Sequence, residues 1–118
     1  MAYFVTGATG FIGKRLVRKL LERRGRIYVL VREDSRSKLD ALYTFWGTDE
    51  RRVTPVIGDL TSPGLGIDEQ TATQLRGSIR HFFHLAAIYD IAGDPQEQYA
   101  ANVDGTRHAV EFAQAVQA

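Results

Sequence analysis

At 118 residues the chain has room for one domain rather than two, and a chain of this size buries roughly two thirds of its surface on folding. Lys and Arg number 15 against 14 Asp and Glu, a net charge of +1, so bulk electrostatics points to no nucleic-acid partner. The absence of cysteine excludes a disulfide scaffold, a thiolate nucleophile and a cysteine zinc site, and fits a reducing, cytoplasmic setting; no apolar run reaches the length of a membrane span.

The first apolar run, Ala2-Tyr3-Phe4-Val5, predicts a strand over 2–6 that begins too early to leave room for a signal peptide. Thr6-Gly7-Ala8-Thr9-Gly10-Phe11-Ile12-Gly13 follows it, and Leu16, Val17, Leu20 and Leu21 then recur at helical spacing, predicting a helix over 11–24. A glycine turn that opens a helix aims unpaired backbone N–H groups and a positive dipole end at an anion, usually a dinucleotide pyrophosphate. The spacing is Gly-x-x-Gly-x-x-Gly rather than the tighter Gly-x-Gly-x-x-Gly. By analogy Gly7 makes the turn, Gly10 lets phosphate approach the backbone, and Gly13 lets the helix pack on the strand. The bland alternative is a plain turn at a helix entry. A Walker loop fails, because Gly7 to Gly13 is one residue too long and Lys14 is followed by Arg15 rather than Ser or Thr.

The remaining elements are predicted as a strand at 26–31, a helix at 36–46, a strand at 52–57, a glycine-rich loop, a short helix near 68–76, a strand at 79–86 and a long helix over 95–117. Alternating strands and helices imply an α/β fold with a Rossmann-type doubly wound parallel sheet, and right-handed crossovers favour the order 3-2-1-4. Pro55 agrees, since proline within a strand belongs at a sheet edge and strand 3 is one. Asp94, Pro95 and Glu97 read as cap, first position and capping-box partner of the last helix. Gly105 sits inside that helix at a cost of about 1 kcal/mol relative to alanine, which usually signals close backbone packing. A complete dinucleotide fold has two βαβαβ halves, so residues 1–118 are expected to be the N-terminal part of a longer protein, stopping before strand 5. Strand 4 would then present an edge prone to self-association.

The end of strand 2 discriminates between cofactors. Arg32 stands there with Arg36 and Lys38 close behind, and an arginine fork suits the 2′-phosphate of NADP. Glu33 and Asp34 compete with that reading as ribose-binding acids. Asp59, in Gly58-Asp59-Leu60, can accept from an adenine amine or simply cap a turn. Ala86 and Ala87, ending strand 4, leave room for a flat ring, or are ordinary small core residues. The basic residues of the first helix read as a solvated face, because its apolar positions form a single stripe. His81 and His84 point to opposite strand faces and His108 lies elsewhere, so no metal site is expected.

Thr6 through Gly13, Gly58-Asp59-Leu60, His84-Leu85-Ala86-Ala87 and Asn102-Val103-Asp104-Gly105-Thr106 together resemble the extended short-chain dehydrogenase/reductase family. Tyr28-Val29-Leu30-Val31-Arg32, Ser37-Lys38-Leu39, Leu65-Gly66-Ile67-Asp68 and His84 through Asp90 resemble, more narrowly, the reductase domains of bacterial fatty acyl-CoA reductases. The resemblance implies an NADP(H)-binding segment of an enzyme that reduces fatty acyl thioesters or fatty aldehydes. It implies that Thr6, Gly7, Thr9, Gly10, Gly13 and the backbone of Phe11 and Ile12 hold the pyrophosphate. Arg32, assisted by Arg36 and Lys38, would take the 2′-phosphate, Asp59 and Leu60 would flank adenine, and Ala86 and Ala87 would line the inner pocket. Asn102 would support the proton relay. The family's Ser and Tyr-x-x-x-Lys are not found: four residues after Tyr3, Tyr28, Tyr43, Tyr89 and Tyr99 come Gly7, Arg32, Gly47, Gly93 and Val103. The acid and the substrate-binding region are therefore expected beyond Ala118. A non-catalytic NADP(H)-binding module and a sugar-nucleotide epimerase of the same extended family are the alternatives.

Overall fold

Short apolar segments alternating with amphipathic helices bury both sides of a sheet between two helical layers. The computed structural model describes residues 2–85 and 94–118. Its elements are β1 (Ala2–Thr6), α1 (Phe11–Leu20), β2 (Arg26–Val31), α2 (Leu39–Trp46), β3 (Val53–Ile57), α3 (Glu69–Leu75), β4 (Ile79–His84) and α4 (Pro95–Ala115), with 3-10 segments at Glu33–Lys38 and Pro63–Gly66. The strands pair in parallel in the expected order β3-β2-β1-β4, and Pro55 lies on edge strand β3 opposite Val29.

Central strand β1 is buried along its whole length, as a parallel strand covered on both faces must be. Tyr3 and Val5 face α1 and α2, packing with Val17, Leu20, Val29, Leu42 and Trp46. Ala2 and Phe4 face the other layer, with Leu75, Ala109, Phe112 and Val116. Phe4 stacks on Phe82 of β4 with ring centroids 4.9 Å apart. Polar bonds tie α2 both to α1 and to β3. The Trp46 indole N–H donates to the Lys14 carbonyl at 2.8 Å, and the Tyr43 hydroxyl donates to the Val53 carbonyl at 2.9 Å. Burial pushes the Tyr43 phenol above its usual pKa.

Helix α1 ends at Leu20, four residues before its predicted end. Glu22, Arg23 and Arg24 have no apolar side to bury, and the N–H groups of Glu22 and Arg23 turn to carbonyls three residues back. The Arg52 guanidinium takes up carbonyls freed there, donating to Gly25 at 2.7 Å and to Leu21 and Arg23. The second helix also starts late. Residues 33–38 form a 3-10 segment with no buried residue, and regular α-helix begins at Leu39, the first side chain with a core to enter. In α4, Asp94 is the cap and accepts from the Gln96 N–H at 2.9 Å.

The charged face of α1 is not bare. Arg15 lies over the Phe11 ring at 3.8 Å, and Lys14 and Arg18 lie over Phe45 at 5.2 and 5.3 Å. The basic side chains thus cover aromatic surface while keeping their charge in water.

Candidate functional site

The carboxyl ends of the strands meet between the start of α1 and the side of α4, where open α/β sheets bind ligands. Gly7 holds φ at 79°, a left-handed value that favours glycine, and its carbonyl accepts from the Gly10 N–H at 3.1 Å. Gly10 caps α1 in an extended conformation, with no side-chain cap and no acidic residue in the first turn. The N–H groups of Phe11, Ile12 and Gly13 therefore open a dipole end that neither the cap nor the first turn neutralises. Among the described residues, a Cβ placed at Gly10 would find within 4 Å only the Gly7 carbonyl oxygen, at 3.4 Å, so they leave the hollow above the turn open. A Cβ at Gly13 would stand 1.8 Å from that oxygen, so this glycine is required by helix-to-strand packing. A hollow lined by N–H groups has the chemistry to accept an anion such as a pyrophosphate, with space at Gly10 and tight packing at Gly13.

Beside the turn, a cleft of about 210 Å³ is lined by Gly7, Thr9, Arg32, Ser35, Asp59 and Leu60, among others. Asp59 follows β3, and its carboxylate accepts from the Thr61 N–H at 2.9 Å and the Thr61 hydroxyl at 2.8 Å. Those bonds, with a smaller contribution from the Arg32 charge, hold its pKa below the usual carboxylate value. Arg32 and Asp59 thus face the same cleft. Arg36 and Lys38 are exposed on the 3-10 segment and do not line it, and the Arg36 charge instead acts on Tyr43.

The turn that carries Asp59 is clamped from below. Gly64, Leu65 and Gly66 lie in succession in the left-handed region, Leu65 at φ 58°. Such a conformation costs a non-glycine residue about 1–2 kcal/mol. Leu65 is fully buried, and burying a leucine contributes about 1.5–3 kcal/mol, so burial offsets the strain. The Leu65 carbonyl then accepts from the Asp59 N–H at 2.7 Å. A Cβ at Gly58 would stand 2.3 Å from that carbonyl oxygen. On the α4 side, the buried His108 Nδ1–H donates to the Leu60 carbonyl at 2.7 Å.

A different network joins β1, β4 and α4. The Thr6 side chain is fully buried, its Oγ1 lies 2.6 Å from His84 Nδ1, and it accepts from the Leu85 N–H at 3.2 Å. His84 Nε2 lies 3.3 Å from Thr106 Oγ1 on α4. Burial lowers the His84 pKa, which favours a neutral imidazole between two hydroxyls. Asn102, one turn before Thr106, is half-buried and shares a shallow hollow with Tyr99, Val103 and Thr106. Sequence reasoning did not assign His84 a role in the site; its only signal was its place in the motif read for Ala86 and Ala87. Those two alanines lie outside the described residues.

A wide hollow of about 810 Å³ lies at the opposite, amino-terminal ends of the strands, beside Ala2, Arg26 and Arg80. It holds neither the glycine turn nor a residue of the cleft, and it is not where a parallel α/β sheet binds nucleotides.

A family model described as male sterility protein, an NAD-binding family, matches residues 5–118. The NRPS-like oxidoreductase fscA of Fusarium equiseti is 29% identical over 118 residues, covering 96% of this chain and 11% of that protein. Fatty acyl-CoA reductase wat of Drosophila melanogaster is 27% identical over 128 residues, covering 96% of this chain and 25% of the relative. Among solved structures, the reductase (R) domain of a non-ribosomal peptide synthetase from Mycobacterium tuberculosis is 31% identical with a TM-score of 0.75, covering 95% of this chain and 30% of that one. Gre2 from Candida albicans, solved in complex with NADPH, is 25% identical with a TM-score of 0.76, covering 97% and 33%. The chain spans about a third or less of each of these proteins.

Proposed function

The chain belongs to the male sterility protein family of extended short-chain dehydrogenases/reductases, and on that premise we propose that it forms the NADPH-binding part of a reductase of fatty acyl thioesters or fatty aldehydes. The observation that carries the choice of NADPH is the placement of Arg32. It leaves the carboxyl end of β2 beside the glycine turn and lines the cleft that Asp59 also lines. A guanidinium there can meet a 2′-phosphate with two parallel charged bonds. The reductase named for fatty acyl-CoA and the reductase domain of the peptide synthetase support the substrate class. The neighbour bound to NADPH supports the cofactor.

In this reading the N–H groups at the start of α1 hold the pyrophosphate, and Asp59 accepts from the adenine amine. Thr6 and His84 fix the spacing of β1 and β4 where the nicotinamide half would lie. When bound, NADPH supplies a hydride. Asn102 supports the proton relay from the α4 side. No tyrosine in this chain is followed four residues later by lysine, so none of these residues is assigned as the proton donor to the carbonyl oxygen.

Parallel titrations with NADPH and NADH, followed by protein fluorescence, test the cofactor assignment. Losing a charged hydrogen bond to phosphate costs about 1.5–3 kcal/mol, roughly ten- to a hundredfold. Arg32→Ala should weaken NADPH by that factor and NADH far less. Equal affinities of the wild-type protein for the two cofactors would refute it. NADPH consumption that depends on long-chain aldehyde or acyl-CoA tests the substrate class. Tight NADPH binding without consumption on either would favour a binding module.

A further inference from the structure

Arg32 is not free to wait for a ligand. Its Nη2 lies 3.5 Å from Asp34 Oδ2, and both side chains are about two-thirds exposed, at 66% and 72%. Asp34 Oδ1 is in turn 3.5 Å from the hydroxyl of Ser35, which lines the cleft beside Arg32. A second hollow adjoins the cleft and is lined by Arg32, Glu33, Asp34 and Asp59. Arg32 therefore lines both hollows, and its ion-pair partner Asp34 lines the second and not the first.

We infer that Asp34 is a specificity-determining residue that competes with the cofactor's 2′-phosphate for Arg32, an inference that rests on Arg32 being the 2′-phosphate ligand. A 2′-phosphate carries close to two negative charges at neutral pH. To reach Arg32 it must either displace the Asp34 carboxylate or sit beside it as a like charge. An exposed ion pair of this kind is worth only about 0–1 kcal/mol, so it opens readily, but its carboxylate stays tethered two residues from Arg32. Repulsion between unit charges a few ångströms apart near a protein surface adds to the penalty and is weakened by salt. NADH meets neither cost. Its ribose hydroxyls can donate to the same carboxylate, so Asp34 lowers the preference for NADPH from both sides. The Arg32–Asp34 pair, rather than Arg32 alone, then sets the discrimination ratio.

The experiment titrates NADPH and NADH separately into the wild-type protein and into Asp34→Asn, Glu33→Gln and Arg32→Ala, at low and high salt. Each variant's fold is checked by circular dichroism. Glu33 lines the same hollow and has no ion pair among the described residues, so it controls for a general change of charge. Asp34→Asn should tighten NADPH by about three- to tenfold, the size of an exposed pair plus local repulsion, with NADH unchanged or weaker. The gain should shrink at high salt, and Glu33→Gln should produce less of it. An unchanged NADPH-to-NADH ratio in Asp34→Asn, with Arg32→Ala still abolishing the preference, overturns the competition and leaves the cofactor assignment standing. Equal gains in the two acidic variants overturn it as well. A preference that survives Arg32→Ala removes the reading on which the inference rests.

Discussion

The two walls of the crevice are built from opposite kinds of residue. The outer wall, at the ends of β2 and β3, carries Arg32, Asp34 and Asp59, charged groups that keep contact with water. The inner wall joins β1, β4 and α4 through Thr6, His84 and Thr106, an imidazole between two hydroxyls of which Thr6 is buried. Charges in water can exchange partners at little cost, which suits discrimination between ligands that differ by one phosphate. Buried neutral hydrogen bonds are costly to leave unmade, which suits holding strands at a fixed spacing. The outer wall should therefore answer to substitution through affinity, and the inner wall through stability.

The glycine turn touches both walls, and its two glycines provide the sharpest division. Gly13→Val places side-chain atoms where even a Cβ would stand 1.8 Å from the Gly7 carbonyl oxygen. We expect a loss of about 3 kcal/mol or more, read as a collapsed thermal transition, because backbone cannot yield as a flexible side chain does. Gly10→Ala should fold normally, since its Cβ meets only ordinary contact, yet lose at least about tenfold in dinucleotide affinity, as the new methyl group stands where phosphate approaches. A Gly10→Ala protein that binds normally would move the pyrophosphate elsewhere.

The next largest effect is expected at His84. Replacing it by Ala strands the buried Thr6 hydroxyl, at a cost of about 1–3 kcal/mol, whereas the exposed Thr106 hydroxyl can turn to water. The pH dependence sharpens this. An unfolded histidine gains its proton as pH falls through about 6.5, whereas burial keeps the folded His84 neutral to lower pH. The unfolded chain then binds more protons in that window, so wild-type stability should fall as pH drops below 6.5 and level off below the folded pKa. Denaturant melts across that range should show a shallower slope in His84→Ala. An identical slope would mean that His84 titrates as it does in water.

The smallest effect is expected at Gly105 of α4. A Cβ there would lie 3.5 Å from Leu60 Cβ, ordinary contact rather than a clash. Gly105→Ala should therefore stabilise the protein by about 0.5–1 kcal/mol through helix propensity, measured as a raised melting midpoint. A destabilised variant would show that α4 needs the glycine in order to approach the turn after β3.

These substitutions also show what was legible in the sequence. The strand order followed from alternation, handedness and Pro55, all of which are local or general. The glycine turn was legible because its chemistry is spelled by neighbouring residues. The inner wall was not, because Thr6 and His84 lie 78 residues apart and no spacing rule joins them. Arg36 and Lys38 were grouped with Arg32 by proximity in sequence, whereas on the exposed 3-10 segment only Ser35 lines the cleft with Arg32. The left-handed Leu65 was hidden for a related reason. Its flanking glycines signal a turn, but only burial beneath Asp59 explains why a leucine stands between them.

The most direct measurement is hydrogen–deuterium exchange of the protein with saturating NADPH and, separately, NADH. Both cofactors should protect the amides of residues 7–13, where the pyrophosphate meets α1, and the difference between them should be confined to the segment that follows β2, around Arg32 and Ser35. Protection centred on the amino-terminal ends of the strands, or identical protection around Arg32 with both cofactors, would contradict the proposed NADPH site.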